Sequence, residues 1–426
     1  MDDSPRLPLE ILEHVIDHTD RKTCLSCALV CWALVDQSRR CAFRTIDVVQ
    51  AVYCSDTVTF LAFDTLVNHA GCTFTQHVRE VLLGRPFLFD DSALEPLDWL
   101  RRMPNITTLK LTGRPALPMA KVPDIWPQLG RMPCLTILDL HGIVFVDLAA
   151  FVSMLSMLPS LLDLSLREIY IDGIKDDPRI DDAESAITNL ISRVPTTQFL
   201  SKLNQLHIGL LRTNALGLLF PALLSVTLAQ YPPITRIHLQ LPPSDADVTA
   251  ALCKLLRRLS STLNTIHVHF GKQDVDAAEL ARLDFAQFTQ LRSFTMERLC
   301  VNLWPTNPFL DLWGNEFGSS NRRSIDLLHA VLQAPALQSL TVYLLVAYSA
   351  VQEQRTDTIW ETLDNRMDQL PLLEKVELLI SLTPARQPTL DIGHTVISRI
   401  HKLLPKARSR GILFVYCGMN REKQTP

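Results

Sequence analysis

The sequence predicts an α/β repeat solenoid, with parallel strands on one face and helices on the other, behind a short helical module. Three observations predict it. An apolar triplet returns about every thirty residues, amphipathic helix patterns lie between copies, and residues 7–46 carry a different, densely apolar pattern.

The chain has 426 residues, enough for two or three ordinary domains or one short domain plus an extended array. A hydrophobic content of 47% with 20% charged residues is that of a folded chain. The formal net charge of −4 provides no basic field for nucleic acid or anionic lipid, so neither is expected as a partner. No positive n-region leads into an apolar stretch at the N-terminus, so no export signal is expected. The longest nearly apolar run, Ala215 to Ala229, is interrupted by Pro221 and Ser225 and is too short to span a bilayer. The ten cysteines are scattered, and free thiols in the cytoplasm or nucleus are the expectation.

The repeat reads Pro-x-[Leu/Ile]-x-x-apolar-x-apolar. Six copies keep the proline, at Pro104, Pro133, Pro159, Pro232, Pro335 and Pro371. Three more keep only the triplet: Leu203/Leu206/Ile208, Leu263/Ile266/Val268 and Leu291/Phe294/Met296. Weaker copies stand at Val78/Val81/Leu83 and near Leu413/Val415. The first anchors fall at 106, 135, 161, 203, 234, 263, 291, 337 and 373, separated by 26 residues at the closest (135 to 161) and 46 at the widest (291 to 337). The last two apolar positions alternate with polar ones, as a strand buried on one face requires. Proline cannot continue a preceding helix, so it marks the turn into the strand.

Helices are expected between strands. Val248, Leu252, Leu255, Leu256 and Leu259 share a face after Ser244 as N-cap. Leu148, Phe151, Val152, Leu155 and Leu158 repeat the pattern after Asp147, as do Ile359, Leu363, Met367 and Leu370. The strand motif resembles the core of leucine-rich repeats over residues 78–418, leaving 419–426 as a disordered tail. One departure is plain. The ninth position, Asn or Cys in that family, holds Arg114, Ile143, Ile169, Leu211 and Gly271 here.

At the N-terminus, Pro8 suits the first turn of a helix whose apolar faces comprise Leu9, Leu12 and Ile16, and Ile11 and Val15. Leu25, Ala28, Leu29 and Trp32 make a second short helix. Helices spanning so few residues bury too little area to be self-sufficient, so apolar surface is left for a partner. The segment resembles the F-box: Leu7, Pro8, Glu10 and Ile11 match its opening, and Ile16, Leu25, Leu29-Val30-Cys31 and Phe43 also fit. Where that family usually places Trp, this chain has Leu34, with Trp32 directly after Cys31. The resemblance implies docking to the Skp adaptor, and through it cullin, of a Skp–cullin–F-box ubiquitin ligase. The implied adaptor contacts are Leu7, Pro8, Leu9, Glu10, Ile11, Ile16, Leu25, Leu29, Val30 and Cys31, in a module over 5–48 joined by a connector, 49–77. The layout is similar to F-box/leucine-rich-repeat proteins abundant in mushroom-forming fungi.

His14, Asp17, His18, Cys24, Cys27 and Cys31 have residue types that bind zinc, yet the F-box pattern already accounts for the stretch, and no metal is expected. His207, His238 and His267 occupy one slot in three consecutive repeats, which would set their rings about 4.8 Å apart on the open sheet face, with His269 two residues on. Adjacent imidazolium charges repel, so the row is expected to titrate low. It reads as a substrate-contact patch, as a metal or pH switch, or as ordinary exposed polar residues. The widest gap contains Trp304, Phe309, Trp313 and Phe317, which read as a partner surface or as local core. Asp176, Asp177, Asp181 and Asp182 do not fit a calcium loop and suit a surface turn.

No nucleophile elbow, phosphate-binding loop, zinc-protease or dinucleotide motif is found, so no catalytic residue or cofactor is expected. The favoured reading is a non-catalytic receptor whose repeats bind a substrate protein. A scaffold outside any ligase and an enzyme with an unrecognised site are the alternatives.

Overall fold

The computed structural model describes residues 8–47, 65–83, 100–113, 129–130, 132–145, 148–171, 200–209, 234–241, 246–270, 280–301, 325–346, 357–382 and 390–417. Leu7, Trp304, Trp313, the aspartates at 176–182 and the 419–426 tail lie outside them. The chain divides into two compact units, one comprising Met1–Asp177 with Asn189–Leu203, the other Pro178–Thr188 with Asn204–Pro426.

The first unit opens with α1 (Leu9–Asp17), α2 (Arg21–Val30), a 3-10 turn (Trp32–Leu34) and α3 (Val35–Phe43). Asp20 starts α2 by accepting the backbone N–H groups of Lys22 at 2.9 Å and Thr23 at 3.0 Å. Trp32 is therefore outside the second helix, in the turn that follows it. Strands β1 (Thr45–Asp47), β2 (Glu80–Leu83), β3 (Thr108–Thr112), β4 (Ile137–His141) and β6 (Asp163–Arg167) are successive parallel neighbours. Between β4 and β6 come β5 (Val144–Phe145) and α4 (Leu148–Ser156), and β7 (Tyr170–Ile171) pairs with β5.

The second unit stacks β8 (Gln205–Gly209), β9 (Arg236–Leu241), β10 (Thr265–Phe270), β11 (Ser293–Val301), β12 (Ser339–Val346), β13 (Lys375–Leu382) and β14 (Leu413–Cys417), again all parallel. Its helices are α5 (Ala246–Leu259), α6 (Asp357–Gln369), α7 (Leu390–Leu403) and α8 (Pro405–Ser409). The N-terminal helices are thus followed by parallel-strand sheet. Among the described residues, no helix is long and apolar enough to cross a membrane.

The apolar triplets form the core. Each member of the nine full copies is 0–4% exposed, and equivalent members sit in register, as in Leu206–Ile237–Ile266–Phe294–Leu340–Val376. Leu252, Leu255, Leu256 and Leu259 of α5 are buried, as are Leu363 and Met367 of α6, joined by Trp360. The repeat proline has a specific position. Pro104, Pro133, Pro159, Pro335 and Pro371 each follow the residue whose carbonyl accepts the N–H of the first anchor, as in Ile106 N–H to Met103 at 3.3 Å and Leu161 N–H to Leu158 at 3.2 Å. That is the second position of a β-turn, where a φ held near −65° is preorganised.

Of the ninth positions, Ile143 and Ile169 are among the described residues, and Arg114, Leu211 and Gly271 lie outside them. Ile143 and Ile169 are buried there, and the loop's polar groups are satisfied by backbone instead of side chain. Gly113 N–H donates to the His141 carbonyl, Gly142 N–H to Arg167 and Tyr170 N–H to Ile143, at 2.6, 2.8 and 2.8 Å. The approach is so close that a Cβ on Gly113 would lie 2.2 Å from the Gly142 carbonyl oxygen.

One feature of strand entry reaches further back than the sequence pattern. Two consecutive N–H groups donate to one carbonyl of the preceding repeat, for example Thr107 and Thr108 to Arg79, and Arg292 and Ser293 to Asn264. Arg79 and Glu80 donate in the same way to Arg44, at 2.9 and 3.0 Å. β1, within the 5–48 span assigned to the docking module, therefore serves as the first strand of the sheet, with Ile46 opposite Val81. Phe43 stacks on Phe74 with ring centroids 4.7 Å apart, and Asp36 lies 3.6 Å from the buried His77. Helices and sheet are thus packed together in this unit.

Candidate functional site

Two surfaces stand out, one in each unit. The N-terminal helices close around a very small core of Ile16, Cys24 and Ala42, flanked by partly buried Cys27, Leu34, Cys41 and Phe43. Cys41 Sγ donates to Asp17 Oδ1 at 3.1 Å, and Gln37 Nε2 donates to the same oxygen, joining α3 to the end of α1. Burial and the Asp17 carboxylate push the Cys41 thiol up to about 12, and the Cys41 hydrogen bond helps hold Asp17 below the usual carboxylate range. Cys41 is a structural donor at neutral pH.

Ile16 corrects the sequence reading. The F-box resemblance implies an adaptor contact here, yet at 2% exposure Ile16 is the centre of the helical core and is closed to a partner. The other described members, Pro8, Leu9, Glu10, Ile11, Leu25, Leu29 and Val30, are exposed, and Cys31 is half-buried. Leu29 and Val30 are 89% and 85% exposed, and Trp32, which the residue-by-residue reading left out of the surface, is 92% exposed. Leu25 and Leu29 are one helical turn apart on α2, and Ile11 and Val15 likewise on α1. Leu34 explains the omission of Trp32: it packs on the core in the position expected for Trp, and Trp32 is left outside. A concentration of large apolar side chains in water is unfavourable unless something covers it.

His14 and His18 are exposed and meet edge to face with centroids 4.6 Å apart, and Cys24 lies in the core. Among the described residues, no group of three or more His, Cys, Asp or Glu is placed to hold a metal ion.

The second surface is the open face of the β8–β11 strands. Register puts His207, His238 and His267 side by side, and their rings are stacked with centroids 4.0 and 3.9 Å apart and planes within 7° and 13° of parallel. The spacing is tighter than the strands impose because the rings lean together. His269 Nδ1 bonds Glu297 Oε2 at 2.5 Å, and His267 Nε2 lies 2.9 Å from Glu297 Oε1 without the alignment of a full hydrogen bond. Glu297 was missed in the sequence, although it follows Met296 as His269 follows Val268. Burial pushes its carboxyl up, but the His269 bond and the charges of His267 and His269 outweigh this and hold it below the usual range.

Burial, reinforced by His207 and His267 on either side, pushes the central His238 down to about 4. Between the ordinary value of 6.5 and about 4 the unfolded chain carries a proton here that the folded chain refuses, so stability falls as pH drops through that window. His238→Gln should therefore lose less stability than the parent between about pH 7 and about pH 4.5 in urea unfolding. An equal loss would contradict the burial-driven shift.

Comparison with known proteins bears on the first surface. No curated protein matches the chain. Among solved structures, the crystal structure of the mouse RP105/MD-1 complex is similar at 10% identity and a TM-score of 0.17, over 76% of this chain and 66% of that one, just under two thirds of its length. The F-box domain family matches residues 4–45, the stretch that holds α1 to α3 and the exposed apolar side chains. F-box domains generally bind Skp-type adaptors, and this chain carries an F-box domain at its N-terminus.

Proposed function

We propose that this chain is the substrate-recognition subunit of a Skp–cullin–F-box E3 ubiquitin ligase. In this reading Leu9, Ile11, Leu25, Leu29, Val30 and Trp32 dock the Skp-family adaptor, Pro8, Glu10 and Cys31 adjoin that surface, Leu7 is a contact on the F-box resemblance alone, and cullin follows through the adaptor. The strand array is an irregular leucine-rich-repeat solenoid of the fungal type, and it holds a substrate protein in the cytoplasm or nucleus. The observation that carries the reading is the consecutive exposure of Leu29, Val30 and Trp32 within a matched F-box domain. Burying such side chains contributes about 1.5–3 kcal/mol each, ample to drive a stable interface.

The histidine row is the candidate substrate contact, because it lies on an open sheet face rather than in the core. No chemistry is required of the chain itself. Affinity capture of the full chain from native cells, with proteasome activity blocked, is expected to recover a Skp-family adaptor together with cullin. Adaptor without cullin would point to a scaffold outside the ligase, and recovery of neither would overturn the proposal.

A further inference from the structure

We propose that the chain forms a homodimer in which β14 of one copy pairs antiparallel with β14 of a second, across a two-fold axis at Val415. The inference is independent of the ligase reading. Among the described residues β14 pairs with β13 alone, which leaves its other edge open. The Val376 N–H donates to the Ile412 carbonyl at 2.8 Å, and this fixes which backbone groups point which way. Successive residues of a strand turn their N–H and C=O groups to opposite edges. Phe414 and Tyr416 therefore serve β13, and Leu413, Val415 and Cys417 aim theirs at the open edge. The core is incomplete there too. Leu413 and Cys417 stand in register with the buried Val376 and Ile380, yet both are only half-buried.

The strand's own sequence selects a second copy as the cover. Leu413-Phe414-Val415-Tyr416-Cys417 runs apolar, aromatic, Val, aromatic, apolar, the same from either end. A two-fold axis at Val415 sets Leu413 opposite the second copy's Cys417 and Phe414 opposite the second copy's Tyr416. The outward N–H and C=O groups then close about six hydrogen bonds. Phe414 and Tyr416 fall in the non-hydrogen-bonded pairs, where facing side chains come closest and aromatic pairs are favourable. Backbone bonds alone would accept any strand, and the aromatic match is what a second copy adds. No charge opposes the approach. The strand carries none, and the neighbouring Arg410 is bonded to the carbonyls of Met367, Leu370 and Leu373 at 2.7, 3.2 and 3.1 Å. By contrast β1, which pairs with β2, ends in the exposed Asp47, a charge of the kind that deters edge pairing. Five residues a side bury less than the roughly 1,200–2,000 Å² of a standard interface, so the dimer is expected to dissociate on dilution.

Sedimentation velocity of the purified full chain, from about 0.5 to about 100 μM, is expected to show one chain passing to two. Phe414→Lys with Tyr416→Lys sets like charges opposite each other and should weaken association at least roughly tenfold. Phe414→Glu with Tyr416→Glu should do the same by itself. Mixing the two double variants should restore the dimer, because Lys then faces Glu, a rescue that damage to a single chain could not imitate. Both positions are half-buried on the open sheet face, so each variant should keep the parental circular dichroism and adaptor binding. Hydrogen exchange should show Leu413, Val415 and Cys417 gaining protection as concentration rises. A pure chain that stays single throughout would overturn the proposal and leave the edge to a strand of another protein. Association that survives both double variants, or a mixture that stays single, would overturn it as well.

Discussion

Replacing Leu29 and Val30 together with Asp is expected to abolish capture of a Skp-family adaptor while leaving the chain folded. Both side chains are almost fully in water, so the folded chain loses little when they become charged. In a complex that covers them, two carboxylates would be stripped of water with no designed partner. The penalty is at least about 3 kcal/mol, a roughly hundredfold or greater loss of affinity. Trp32→Ala should weaken binding in the same direction, because exposed Trp is the residue type most often found at the energetic centre of an interface. Circular dichroism and urea unfolding of the double variant should overlay the parent. A variant that still binds with parental affinity would remove Leu29 and Val30 from the docking surface.

Ile16→Ala should do the opposite: it should destabilise the helical module by about 2–5 kcal/mol without deleting any adaptor contact. The core has only three buried side chains, Ile16 among them, so little can close over the void. Hydrogen exchange should accelerate across Leu9–Phe43, and the second unit should exchange as before. Ile16→Val, which removes one methylene, should cost about 1 kcal/mol and restore most of the protection. If Ile16→Ala leaves exchange unchanged, Ile16 is not the keystone of that core. The two substitutions together separate a residue that holds the module from residues that the module displays.

The contrast between Ile16 and Leu29 also shows where sequence reading reached its limit. Motif matching treats both as F-box positions, and only packing divides them: Ile16 faces α3, whereas Leu29 lies at the open end of α2. The array was legible because its signal is repeated burial, and every full triplet found by pattern is buried. β1 was not legible. Three residues with a single buried Ile46 carry too little periodicity, and no proline introduces them. Its membership appears only through the paired N–H groups of Arg79 and Glu80 on Arg44. The stacking of His207, His238 and His267 followed from register alone, since one slot in adjacent parallel strands must be adjacent in space. Glu297 was equally accessible, had the alignment been carried one residue past the last apolar anchor. The replacement of a side-chain ladder by backbone bonds around Ile143 and Ile169 could not be foreseen, because an absent Asn does not say what takes over its hydrogen bonds.

Oxidative footprinting of the full chain, alone and saturated with a purified Skp-family adaptor, tests the central claim most directly. Modification of Leu29, Val30 and Trp32 is expected to fall several-fold when the adaptor is present, with Leu162 and Leu372, exposed elsewhere, unchanged. Equal modification of Leu29, Val30 and Trp32 with and without adaptor would contradict it.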